Sequence, residues 1–234
     1  MKPIAALCIV IACCFLQTAT AIGRSPWPSA IANLKSRVNR GLSSLSRLER
    51  STQFDLNNKL NNIHLNAMSS VNSAVNPALN SIRSSVDAAK NAGKDAENCY
   101  VTAKAELREV SMDGFDKLKQ CKTSASSLVQ PTLTDISSNT QAGNRILNDV
   151  NRIPLECQSS NAVQEGNCYT NKLATMSLSV KAFENAVRSI ESTLSIAISK
   201  ALSNATVCSS QITGSVSSKV SNARSAATKC IQNA

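Results

Sequence analysis

Apolar residues recur every three or four positions along most of this chain, a spacing that predicts helix rather than strand. The first run follows Ser29, a residue suited to capping a helix. It carries Ile31, Leu34, Val38, Leu42, Leu45 and Leu48, then Leu56, Leu60, Ile63, Ala67, Val71, Ala74, Ala78, Ile82, Val86 and Ala89. Leu34, Leu45, Leu56, Ala67, Ala78 and Ala89 recur every eleven residues, which keeps one face of a nearly straight helix aligned. One amphipathic helix is expected over residues 30–92, with Pro77 as its kink and Asn91, Ala92 and Gly93 as its stop.

A second helical stretch runs from about Asp95 to Val150, with Tyr100, Leu107, Val110, Leu118, Cys121, Ala125 and Leu128 along one side. Pro131 is its candidate break. Pro154 and the polar segment from Gln158 to Asn167, with Gly166, mark a turn. The third stretch has the most regular pattern: Leu173, Val180, Val187, Leu194, Ala201 and Cys208 lie seven apart, and Met176, Phe183, Ile190 and Ala197 fill the alternate positions. That is a coiled-coil heptad seam, and the helix is expected to continue past Gly214 to Cys230.

The residues ahead of these helices change the chemical context. Met1 to Ala21 hold one cation, Lys2, an apolar run from Ile4 to Leu16, and small residues at Ala19 and Ala21. Residues 1–21 therefore read as a secretory signal peptide cleaved after Ala21, followed by a leader over 22–29. The apolar run is too short to span a bilayer, so a secreted, extracellular protein with no transmembrane segment is expected. Cleavage removes Cys8, Cys13 and Cys14 and leaves Cys99, Cys121, Cys157, Cys168, Cys208 and Cys230, which suit disulfides in an oxidising compartment. No two of these six are spaced as zinc ligand pairs are.

Their spacing predicts the pairing. Cys99 to Cys121 and Cys208 to Cys230 are both intervals of 22 residues, so both members of each pair share a helix face. They lie too far apart along the axis to bond within one helix. In an antiparallel pair of helices, facing residues have numbers with a constant sum. Cys99 with Cys230 and Cys121 with Cys208 share one sum, and Cys157 with Cys168 comes within four of it. The expected fold is all-α: an elongated antiparallel helical hairpin or bundle of long amphipathic helices, with residues 94–234 as a disulfide-linked hairpin turning near residue 164. Such helices bury little apolar area, and each bridge would add about 2 to 4 kcal/mol.

The full chain carries a net charge of +10, and Lys2 leaves with the signal peptide. Arg24, Lys35, Arg37, Arg40, Arg47 and Arg50 face only Glu49 near the mature N-terminus, and no acid follows Glu191. Lys35, Arg37, Arg40, Arg47 and Arg50 form the candidate binding strip, toward a protein, a glycan or another anionic surface. Nucleic acid is not expected, because base stacking needs aromatics and the chain has one Trp, two Tyr and four Phe.

Catalytic constellations are missing from the sequence. His64 is the single histidine and has no adjacent nucleophile or acidic cluster. Glu106 with Glu109 and Asp113 with Asp116 sit among Lys104, Arg108, Lys117 and Lys119, an arrangement that suits surface ion pairing. No phosphate-binding loop, dinucleotide motif, zinc-protease or calcium-loop spacing occurs. No enzyme, cofactor or metal is implied. One glycosylation sequon, Asn204-Ala205-Thr206, lies one helical turn before Cys208, a position that aims Asn204 toward the partner helix.

The order Asn98-Cys99-Tyr100, Cys121, Cys157, Asn167-Cys168-Tyr169 and Cys208, set in Ser/Ala/Leu-rich helical sequence, resembles the insect TsetseEP-domain family over residues 95–215. The resemblance implies a secreted insect protein. The chain lacks the Glu-Pro repeat tail of the family's namesake.

The function expected from all this is an extracellular scaffold or binding protein, with the first helix free to engage a partner or a second copy. An apolipoprotein-like lipid binder is the alternative, since eleven-residue amphipathic repeats suit lipid surfaces. A small-ligand carrier is disfavoured because few aromatics are available to line a pocket.

Overall fold

The computed structural model describes residues 27–234. The expected signal peptide, residues 22–26 of the leader and Arg24 lie outside the described residues. Within them the fold is all-α: α1 Trp27–Asn91, α2 Glu97–Ser127, α3 Gln130–Glu156 and α4 Ala162–Gln232, with no strand among the described residues.

Each boundary has a local cause. α1 starts at Trp27, with Pro28 in its first turn where a missing N–H costs nothing, so Ser29 lies inside the helix. It runs unbroken through the exposed Pro77. Its end is a Schellman motif: Lys94 N–H donates to the Ala89 carbonyl and Gly93 N–H to that of Lys90, both at 3.0 Å, with Gly93 at φ +80°. The single stretch expected from Asp95 to Val150 is two helices. α2 stops at Ser127, the residue whose carbonyl Pro131 can neither bond nor accommodate. The polar turn is shorter than expected, because Asn161 caps α4 by accepting hydrogen bonds from Val163 N–H (3.0 Å) and Gln164 N–H (3.2 Å). Pro154 falls inside α3.

The helices contribute to two compact units. In its described part, unit 1 comprises residues 27–42 and 142–184, and its core holds Ile31, Leu34 and Val38 of α1, Val150 and Ile153 of α3, and Val180 and Phe183 of α4. The Phe183 ring is a knob between two glycines. A Cβ at Gly41 would stand 2.5 Å from Phe183 Cε1, and one at Gly143 would stand 2.7 Å from Phe183 Cζ and 2.8 Å from Leu42 Cδ2. Beside it, Arg37 Nε and Nη2 donate to both carboxylate oxygens of Glu184, at 2.9 and 2.6 Å. One bridge, Cys157 to Cys168, closes the turn between α3 and α4 with a Cα separation of 5.4 Å.

Unit 2 comprises residues 43–141 and 185–234, and its packing follows the eleven-residue period on three helices. On α2 the buried columns are Cys99, Val110 and Cys121; Ala103, Gly114 and Ala125; and Leu107 and Leu118, continued by Val129 beyond its end. On α4 they are Ala205, Val216 and Ala227, and Ser209, Val220 and Ile231. On α1 they include Leu45, Leu56, Ala67, Ala78 and Ala89. The heptad pattern of α4 thus gives way to elevens after Ala201. Small residues allow the helices to meet closely: a Cβ on Gly114 would come 2.9 Å from Val216 Cγ2 and 3.7 Å from Val71 Cγ2. Two bridges join α2 to α4, Cys99 to Cys230 and Cys121 to Cys208, with Cα separations of 5.8 and 5.7 Å. The interval of 22 residues is two eleven-residue repeats, so both rungs occupy the same repeat position and α2 runs antiparallel to α4. At the Cys99 end, Arg83 of α1 bonds Glu97 at 2.7 Å and Asp87 at 3.2 Å and lies over the Tyr100 ring.

One expectation changes here. The first helix is not free: its apolar stripe is buried from Ile31 in unit 1 to Ala89 in unit 2, because α3 and α4 receive it in the first and α2 and α4 in the second. The coiled-coil seam holds at Val180, Val187, Leu194 and Ala201, which are buried, while Leu173 and Met176 are half-buried.

Candidate functional site

Unit 1 contains a cavity of about 520 Å3, within the range of roughly 300 to 1,000 Å3 that small ligands occupy. Helical spacing builds it. Trp27, Ile31 and Lys35 line it from α1 at steps of four, and Glu165 and Tyr169, also four apart, line it from α4. Pro154 of α3 closes one wall. The Trp27 and Tyr169 rings stack with centroids 5.6 Å apart and planes 3° from parallel, an offset arrangement that suits the ring quadrupoles.

The charges around the cavity differ in their state. Glu156, near the Cys157 to Cys168 clasp, is neutralised by Lys172 at 2.7 Å and Arg152 at 3.4 Å. The hydrogen bond from Lys172, reinforced by that ammonium's charge, holds its carboxyl below the ordinary glutamate value. Lys35 and Glu165 are both half-buried, and neither joins an ion pair among the described residues. The cavity therefore offers a stacked aromatic pair, a carboxylate and an ammonium on an otherwise apolar wall.

The expected basic strip divides. Arg37 is held by Glu184, whose hydrogen bond raises the guanidinium pKa above its ordinary value, and Lys35 lines the cavity. Arg40 in unit 1 is exposed, as are Arg47 and Arg50 in unit 2. Asn204 is exposed, contrary to the expectation that it faces a neighbouring helix: Ala201, Ala205 and Ser209 are the residues of that stretch buried in unit 2. Thr206, the third residue of the sequon, donates to the Leu202 carbonyl at 2.9 Å.

The remaining candidates show surface chemistry. Asp113 accepts from Lys117 at 2.9 Å and Lys219 at 3.1 Å, and these bonds hold its carboxyl below the ordinary aspartate value. Glu106, Glu109 and Asp116 are exposed. His64 is half-buried, with Nδ1 enclosed and without a hydrogen-bond partner among the described residues. No group of three His, Cys, Asp or Glu among the described residues could hold a metal ion.

Sequence reasoning missed the cavity. Aromatic scarcity argued against a pocket, yet the only Trp and one of the two Tyr line this one. The available signal was the repeat of four in Trp27-Ile31-Lys35 and Glu165-Tyr169, which marks two faces but not their meeting. No helix among the described residues is long and apolar enough to cross a membrane. No family model matches this chain, and no curated protein or solved structure does either.

Proposed function

We propose that this protein is a secreted, non-enzymatic helical scaffold or binding protein whose bundle stays closed when it engages a partner. The observation that carries the reading is in unit 2, where two bridges tie α2 to α4 while the apolar stripe of α1 is spent in the same core. A lipid-surface helix needs that stripe free. The disulfides and the signal-peptide pattern of residues 1–21 support secretion, and the cysteine order supports kinship with the TsetseEP-domain family. Arg47 and Arg50, exposed on α1, are the proposed contacts for an anionic partner.

Hydrogen exchange on the oxidised mature protein, with and without anionic vesicles, tests the closed bundle. Slow exchange along residues 56–89 and 205–231 in both conditions is the expected result. Loss of that protection on vesicles, with the bridges intact, would establish the apolipoprotein-like alternative instead. Replacing Arg47 and Arg50 by Gln should lower retention on a heparin column, an effect that shrinks with salt, and unchanged retention removes them as contacts.

A further inference from the structure

We propose that the unit 1 cavity binds phosphocholine chemistry, with the ammonium held at Trp27, Tyr169 and Glu165 and the phosphate held by Lys35. Two half-buried, opposite charges, Lys35 and Glu165, line one cavity, and neither has an ion-pair partner among the described residues. A cationic ligand would meet the Lys35 ammonium, and an anionic one would meet the Glu165 carboxylate. A neutral apolar ligand would strip water from both without replacing its hydrogen bonds. A zwitterion satisfies both at once.

The positions of the groups say which end takes which charge. Glu165 and Tyr169 sit one turn apart on α4, and Tyr169 stacks on Trp27, so the carboxylate and the aromatic faces share one end. Aromatic faces, Trp above all, attract cations that have no N–H to donate. Lys35 lies two turns beyond Trp27 on the same face of α1, about 12 Å along the axis, and its stem gives the ammonium reach back toward the cavity. Because Lys172 and Arg152 already neutralise Glu156, that neighbouring carboxylate does not repel a phosphate.

Trp27 is the only tryptophan, so its fluorescence reports this cavity alone. Titration of phosphocholine into the oxidised mature protein should change Trp27 emission saturably. Glu165→Gln and Lys35→Gln, both at half-exposed positions, should each weaken binding about tenfold or more, with helicity unchanged by circular dichroism. Choline alone and inorganic phosphate alone should each bind about tenfold more weakly than the joined molecule.

Phosphatidylcholine vesicles distinguish the source. An emission change that free phosphocholine competes away assigns a lipid headgroup, and vesicles without effect beside tight free binding assign a soluble ligand. The proposal falls if neither emission nor ligand-observed NMR detects saturable binding below about 10 mM. It also falls if both variants bind within about twofold of the parent, or if choline alone binds as well as phosphocholine. A vesicle signal lost in Glu165→Gln without a change in unit 2 hydrogen exchange is headgroup binding here, whereas one that persists and deprotects unit 2 is bundle opening.

Discussion

Unit 1 and unit 2 both draw on α1, α3 and α4, with α2 in unit 2 alone, and they are held by different devices. Unit 2 packs Ala, Gly, Val and Leu in eleven-residue columns and relies on two bridges that join residues 131 and 87 positions apart. Unit 1 places one aromatic knob between two glycines, adds an Arg37 to Glu184 ion pair, and has a bridge spanning only 11 positions. A core of small side chains lets helices approach closely but buries little area per residue, so covalent links carry more of its stability. A core with one large ring buries more area at a single point.

Bridge removal should separate the units most. Loop entropy alone assigns about 5 kcal/mol to each long bridge and about 3 kcal/mol to the short clasp. Replacing Cys99, Cys121, Cys208 and Cys230 by Ala should therefore lower stability in urea far more than replacing Cys157 and Cys168. Equal losses would mean that unit 2 does not depend on its bridges as argued.

Phe183→Ala should come next, at about 3 to 5 kcal/mol, read by the same denaturation. Hydrogen exchange should place its effect on residues 27–42 and 142–184 ahead of the bridged columns.

Filling the glycine holes sharpens the contrast. Gly41→Ala should cost about 1 to 3 kcal/mol, because the added Cβ would stand 2.5 Å from Cε1 of a ring already packed against Gly143 on another helix. Combining it with Phe183→Leu should recover part of the loss that Gly41→Ala causes in the parent. Gly114→Ala meets a single methyl of Val216 at 2.9 Å and should cost less, and a larger loss there than at Gly41 would reverse the assignment of tight and tolerant cores.

The smallest expected effect is electrostatic. Glu156 in unit 1 and Asp113 in unit 2 both have carboxyl pKa values lowered by lysine hydrogen bonds. A lowered folded-state pKa adds stability that is present above the unfolded value, about 4, and is lost as pH falls through the folded value. Thermal scans from pH 6 to pH 2 should show this loss, and Lys172→Met should flatten the Glu156 part while leaving that of Asp113. Both carboxylates are partly open to solvent, so screening keeps each contribution small.

Much of the helical content was legible in the sequence, because a helix period depends only on which residues share its own face. Gly93 announced the end of α1, and Pro131 announced a break whose site, Ser127, follows from the missing bond four residues back. The cysteine intervals were legible for the same reason: 22 residues is two eleven-residue repeats, and an antiparallel pair turns equal intervals into rungs. The fate of α1 was not legible. A stripe from Ile31 to Ala89 is equally consistent with a free amphipathic helix and with one buried against partners.

What the sequence alone determined, then, is the set of faces: which residues of each helix are apolar, where the helices stop, and which cysteines stand at matching heights. Tertiary structure decided which faces meet. It set Phe183 between Gly41 and Gly143, took Arg37 out of the basic strip by giving it Glu184, exposed Asn204, and brought Trp27 and Lys35 against Glu165 and Tyr169. Most of those pairings join residues well over a hundred positions apart, and they depend on the register and rotation of whole helices, which no local period encodes.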